Sequence, residues 1–210
     1  MRVVLLGATG RIGSLCLEAA LTGGHEVVAL VRQPDRITPE ERLELVAGDV
    51  RDAGSLSRAA AGADAVIAAM GPRSNTSDEE AALEEGMRTI VATMRSLGIR
   101  RVVTLSGAGV TVPGDEKPLV DRVMSRLVGQ LARHVLGAKQ REYEVLAASG
   151  LDWTALRPPL VTDGAPAGYR LDLRLTPGAR VRRADVAQAL IDQLEVRTYL
   201  GKAPFVLPRR

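Results

Sequence analysis

Short apolar, β-branched runs alternate along the chain with longer stretches in which apolar positions recur every three to four residues. The first run, 2–6, breaks at Gly7. Beyond it, Ile12, Leu15, Cys16, Ala19 and Ala20 share one face of a helix read as 11–23, which Gly23 and Gly24 end. Residues 25–31 and Leu43–Ala47 read as the next strands, 55–61 as a short helix and 64–70 as the fourth strand. A helix over 78–97, closed by Gly98, leads to a fifth strand at Arg101–Leu105. A long helical region, 118–148, is expected to break near Gly137 and is followed by a sixth strand at Asp152–Leu156. A helix over 183–194 and a short strand at 205–207 complete the pattern.

Nearly continuous apolar runs suit parallel strands buried on both faces. Strict alternation with helices predicts an α/β protein: a doubly wound parallel sheet in three α/β/α layers, one domain over 1–210. Regularity fades after residue 157, where Pro158, Pro159, Pro166 and Pro177 mix with Gly164, Gly168 and Gly178. Segments 110–120, with Pro113 and Gly114, and 158–182 read as loops at the same sheet edge, covering a substrate.

The first strand-to-helix turn is Gly7-Ala8-Thr9-Gly10-Arg11-Ile12-Gly13. Glycines spaced G-x-x-G-x-x-G after a strand and before a helix form a dinucleotide loop of Rossmann type. Gly7 permits the turn, Gly10 lets main chain approach a diphosphate, and Gly13 lets the helix pack closely. The helix N-terminus and the loop amides favour an anion there. Thr9 can add a side-chain hydrogen bond, and Arg11 positive potential.

The second strand ends in Arg32, where an NAD-selective site carries a carboxylate. A guanidinium instead favours a 2′-phosphate, with Arg36 adding charge, so NADP(H) is expected over NAD(H). Asp49 can accept from an adenine amino group and Val50 can pack on the ring; an Asp capping the next turn is an equal reading of Asp49. Met70 and Gly71 close the fourth strand, and Gly71 admits coenzyme to the main chain. Ser106 ends the fifth strand, where its hydroxyl can bond a carboxamide or polarise a carbonyl.

Composition narrows the field. The chain has 46% hydrophobic but 2% aromatic residues, so its core is aliphatic. Net charge is +3 with 25 arginines against three lysines, interleaved with 25 acids. No basic block or stacking platform for nucleic acid results. Cys16, the sole cysteine, excludes an intrachain disulfide and a cysteine zinc cluster. His25 and His134 stand apart without a ligand cluster, so no metal is expected. The N-terminal apolar run stops at Gly7 and no segment approaches spanning length. A cytoplasmic protein without membrane contact, monomeric or weakly dimeric, is expected.

The loop 7–13, Gly48-Asp49, the Ser106 turn and Ser149-Gly150-Leu151-Asp152-Trp153-Thr154-Ala155-Leu156-Arg157-Pro158-Pro159 together resemble the atypical short-chain dehydrogenase/reductases. The likeness is strongest to biliverdin-IXβ reductase/flavin reductase and the NmrA-like proteins. It implies that Pro158, Pro159 and Leu160 line the nicotinamide end and that Lys139 sits near the coenzyme ribose. Such dehydrogenases typically carry Tyr-x-x-x-Lys, but Tyr143, Tyr169 and Tyr199 are followed four residues on by Ala147, Leu173 and Ala203. An NADPH-dependent reductase acting on a flat conjugated acceptor (a flavin, quinone or tetrapyrrole) is therefore expected, with Ser106 assisting. The alternatives are a redox sensor that binds NADP(H) without turnover and, less favoured, an epimerase or dehydratase on a nucleotide-linked sugar.

Overall fold

The computed structural model describes residues 1–115 and 133–209. Six strands form one parallel sheet: β1 (Arg2–Leu6), β2 (Glu26–Val31), β3 (Leu43–Ala47), β4 (Ala65–Ala68), β5 (Arg101–Leu105) and β6 (Asp152–Leu156). Their order is β3-β2-β1-β4-β5-β6. The helices are α1 (Gly13–Thr22), α2 (Ala53–Ala60), α3 (Ser77–Ser96), α4 (Arg133–Ala147) and α5 (Arg183–Asp192).

Side-chain alternation along β1 divides the core. Val3 and Leu5 join Cys16, Leu17, Val186 and Leu190 on the face covered by α1 and α5. Val4 and Leu6 join Leu56, Met87, Ile90 and Leu146 under α2, α3 and α4. A period of two therefore gives both faces of one strand an apolar partner. Register is set by pairs such as Val4 with Val28 and with Val66. The chain leaves β1 toward β2 on one side and returns to β4 on the other. That reversal opens a crevice beyond the carboxyl ends of β1 and β4.

Several elements depart from the sequence reading. Helix α1 starts two residues late, because 10–12 curl into a turn in which Gly10 N donates to Gly7 O at 2.9 Å. Gly137 does not interrupt α4: a Cβ there would lie 2.7 Å from Glu80 Oε1, so the glycine is where α3 and α4 approach each other. Residues 118–132 of that expected helix lie outside the described residues.

The expected loop 158–182 contains three strands: β7 (Leu160–Thr162), β8 (Tyr169–Asp172) and β9 (Arg180–Arg182). β7 pairs in parallel with β9, and β8 pairs antiparallel with β10 (Phe205–Pro208). Single bridges, Thr154 with Lys202 and Arg157 with Phe205, tie this annex to β6. Buried Arg101 at the foot of β5 donates to Asp152 O at 2.7 Å and Gln193 O, fixing the end of α5 to the sheet.

Candidate functional site

The glycine loop is sterically obligatory. Gly7 has φ +86°, and a Cβ on it would stand 2.7 Å from Ala69 O, so the ends of β1 and β4 touch there. A Cβ on Gly13 would fall 1.9 Å from Gly7 O, and one on Gly10 3.2 Å from the same oxygen. Three glycines thus wrap one carbonyl. The N-cap of α1, Ile12, offers no side-chain acceptor and the first turn holds no acid. Among the described residues, the amides of Thr9, Arg11 and Ile12 donate to no protein acceptor. Such uncapped donors at a helix start are an anion-binding arrangement.

The ends of β4, β5 and β6 form the neighbouring wall. Ser106 N donates to Leu156 O at 2.8 Å and Ala108 N to Pro158 O at 3.2 Å, which extends the β5–β6 pairing past the strands. Ser106 Oγ is buried and has no hydrogen-bond partner among the described residues. A buried hydroxyl without a partner carries a desolvation cost that a ligand can relieve. Pro158 is buried, Pro159 half-buried, and Leu160 is 54% exposed at the rim.

The resemblance implied Lys139 near the coenzyme ribose, and its side chain lies between the ends of β4 and β5. Its Nζ donates to Met70 O at 2.6 Å, Leu105 O at 2.6 Å and Glu142 Oε2 at 2.7 Å. An ammonium has three donors, and all are used inside the protein. Lys139 therefore ties the end of β4 to the end of β5 from beneath, leaving no N–H for a ribose hydroxyl unless one bond breaks. Its partner Glu142 is fully buried, and burial raises its carboxyl above the ordinary range against the pull of Lys139.

The opposite side of the crevice is polar. Arg32 and Arg36 are exposed; hydrogen bonds from Arg51 and Arg73 lower the Asp49 and Glu79 carboxyls respectively, and Arg32 adds a smaller through-space pull on each. Asp49 accepts from Arg51 N and Nε, both at 3.0 Å, and these bonds hold its carboxyl below its usual value. Its main-chain carbonyl, together with Asp52, binds the start of α2. Val50 packs on α3, where a Cβ on Gly86 would meet it at 2.9 Å. Gly71 is exposed, and Arg73 grips Glu79 with Nη2–Oε1 at 2.7 Å.

Sequence reasoning missed two ion-pair groups. Arg157, fully buried, pairs with Asp115 (Nη2–Oδ1 2.7 Å) and stacks 3.9 Å over the Phe205 ring. With Val110 also buried, these bonds hold 110–115, the described part of the expected 110–120 loop, to the end of β6; 116–120 lie outside the described residues. Asp163 pairs with Arg11 at 3.1 Å and with Arg183. Neither arrangement had a signal in spacing.

Other candidates are structural. Tyr143 and Trp153 meet edge to face at 5.8 Å in the core. His134 Nδ1 lies 2.9 Å from Glu80 Oε2, joining α4 to α3. His25 is half-buried, and burial lowers its pKa. Burial likewise pushes the Cys16 thiol up to about 12. Among the described residues no His, Cys, Asp and Glu group could hold a metal, and no helix is long and apolar enough to cross a membrane. A polar depression of about 850 Å³ lies at the other end of the sheet. Its Glu26, Glu44 and Asp64 carboxylates all bond Arg2.

A glycine cradle, undonated amides and an unpartnered hydroxyl at the switch crevice define a dinucleotide-binding α/β protein. The chain belongs to a family of NAD(P)H-binding proteins, whose model matches residues 7–196. Cinnamoyl-CoA reductase 1 of Oryza sativa subsp. japonica is 34% identical over 116 residues, covering 51% of this chain and 34% of its own. The chain thus spans about a third of that curated relative's length. A Bacillus halodurans protein assigned to the NAD-dependent epimerase/dehydratases is 27% identical with a TM-score of 0.79, covering 100% of this chain and 94% of its own. An anaerobillin reductase of Escherichia coli O157:H7 shares the fold at 23% identity and a TM-score of 0.81, covering 99% and 97%.

Proposed function

We propose that the protein is an NADPH-dependent reductase that passes hydride to a flat conjugated acceptor such as a flavin, quinone or tetrapyrrole. The observation that carries the reading is the cradle: three glycines around one carbonyl and free amides at an uncapped helix start, with an unpartnered buried hydroxyl on the neighbouring wall. The residues fit the coenzyme. Amides of Thr9, Arg11 and Ile12 hold its diphosphate, Arg32 and Arg36 its 2′-phosphate, and Asp49, Val50, Met70 and Gly71 its adenosine and ribose edges. A reduced nicotinamide, when bound, supplies the hydride. Ser106 Oγ orients the reacting end by donating a hydrogen bond, while Pro158, Pro159 and Leu160 present it with an apolar wall. Positioning of two rings supplies most of the rate. NADPH oxidation with FMN and simple quinones as acceptors tests this; binding with no turnover would refute it.

The second reading, a coenzyme sensor, is favoured by one observation. Lys139 commits its three N–H donors to Met70 O, Leu105 O and Glu142 Oε2, so it offers no donor to a substrate. Bound NADPH without turnover across these acceptors supports the sensor.

Two substitutions test the assignments. Arg32→Ala is expected to weaken NADPH binding by ~1–3 kcal/mol, the scale of a charge-assisted contact, and to leave NADH nearly unchanged. Equal losses in titrations of both coenzymes would contradict the 2′-phosphate assignment. Ser106→Ala removes a hydroxyl without a partner among the described residues, so the melting midpoint should hold. Turnover should fall about two- to tenfold, one neutral hydrogen bond's worth. A destabilised variant with unchanged turnover would contradict that role.

A further inference from the structure

Three arginines converge on the loop after β7. Asp163 is paired with Arg11 from the glycine loop, its Nη2 at 3.1 Å, and with Arg183 from the first turn of α5. Arg182, the N-cap of α5, donates to the Asp163 carbonyl at 2.7 Å and to Thr162 Oγ1 at 3.2 Å. Arg11 and Asp163 are 75% and 71% exposed at their side chains, whereas Arg183 is only 13% exposed.

The charges here do not balance. Among the described residues, two guanidiniums, Arg11 and Arg183, share one carboxylate, and a third, Arg182, bonds the carbonyl of the same residue. Asp185, two residues beyond Arg183, is already used: its carboxylate accepts from Ala167 N and Gly168 N at 3.0–3.2 Å. Burial lowers the Arg183 pKa, and repulsion from Arg11 lowers it further. Two cations held this close, one largely desolvated, need more negative charge than Asp163 supplies. Arg11 also belongs to the loop whose amides are undonated, so the missing anion and the loop's anion site share a residue.

We propose that Arg11 and Arg183 form a cationic clamp for the coenzyme diphosphate, and that Asp163 is the surrogate anion they hold until it arrives. This rests on the coenzyme reading above and adds to it a residue, Arg183, and a competitor, Asp163. Arg182 keeps the loop in place through its main-chain bond. As the diphosphate settles on the loop amides, Arg11 exchanges the carboxylate for a phosphate oxygen. The 158–165 strand and turn are thereby coupled to coenzyme occupancy. A carboxylate in this position opposes the ligand, so its removal should help binding.

Equilibrium titration of NADPH by fluorescence tests the clamp without any turnover. Asp163→Asn should tighten NADPH about two- to fivefold, the scale of an exposed ion pair. Arg183→Gln should weaken it about tenfold or more, the scale of a charged hydrogen bond. Arg183→Lys, which keeps the charge, should recover part of that loss. For 2′-AMP, which carries the 2′-phosphate but no diphosphate, all the proteins should bind alike. Melting midpoints confirm that each variant is folded, and Asp163→Ala repeats the test without an amide. Unchanged or weaker NADPH binding by both Asp163 variants, or equal shifts for 2′-AMP, would overturn the clamp while leaving the coenzyme site standing. A wild-type protein that binds no NADPH would instead remove the reading beneath it.

Discussion

Replacing Lys139 with methionine is expected to lower stability by about 3–5 kcal/mol, the cost of stranding a buried charge. For a chain of this size that is a fall in melting midpoint of roughly 6–20 °C. Lys139 and Glu142 are both buried, and the ammonium also satisfies the carbonyls of Met70 and Leu105. Without it, Glu142 keeps a charge in a place where burial already opposes ionisation. The pH dependence has a fixed sign. In the variant the native state holds the Glu142 proton to a higher pH than the unfolded chain does. Above the ordinary glutamate range the native state therefore binds more protons, and stability falls as pH rises through the raised value. The deficit should be smallest in acid. A Lys139→Met, Glu142→Leu double variant should recover most of the loss, since a buried pair can be exchanged for apolar groups at little cost. Differential scanning calorimetry of the three proteins from acid to neutral pH checks this. A single variant as stable as the wild type would show that Lys139 does not neutralise a buried charge on Glu142.

Gly13→Ala should abolish measurable coenzyme binding. The new Cβ would stand 1.9 Å from Gly7 O and 2.7 Å from Gly7 C, both main-chain atoms that cannot rotate away. The loop must open, and the amides of Thr9, Arg11 and Ile12 then lose their common focus. Overpacking of this kind costs about 1–3 kcal/mol of stability, so the protein remains folded if its margin is ordinary. Loss of several charge-assisted bonds at once should weaken NADPH at least a hundredfold, about 2.7 kcal/mol. Gly54→Ala, in α2 and outside the site, is the control, because a Cβ there meets nothing closer than 3.4 Å. A Gly13 variant that binds NADPH like the wild type would place the coenzyme elsewhere.

The positions of the strands through β6 were legible because each is a short, largely apolar run bounded by turn residues. The glycine loop was legible for a related reason. Its steric demand is local, and three glycines at fixed spacing announce it. The annex was not. Strand β9 is Arg180-Val181-Arg182 and β8 is Tyr169-Arg170-Leu171-Asp172, too short and too polar for periodicity to register. They form because distant partners are supplied, as Phe205 is for Asp172.

The side chains of the site divide in the same way. Ser106 and Arg32 could be placed by their position at strand ends. Lys139 was implied at the site by resemblance, yet nothing in the sequence revealed that Glu142, three residues on, would be buried and hold it. Arg11 and Asp163 are 152 residues apart, and Arg157 and Asp115 are 42 apart. Pairing over such separations is a property of the folded chain, and no local pattern reports it.

The central claim is that a coenzyme diphosphate rests on the amides of the first crossover. Isothermal titration of the protein with NADPH to millimolar concentration measures this directly. One saturable site, tighter for NADPH than for NADH, is the predicted result; no heat for either coenzyme from folded protein would contradict it.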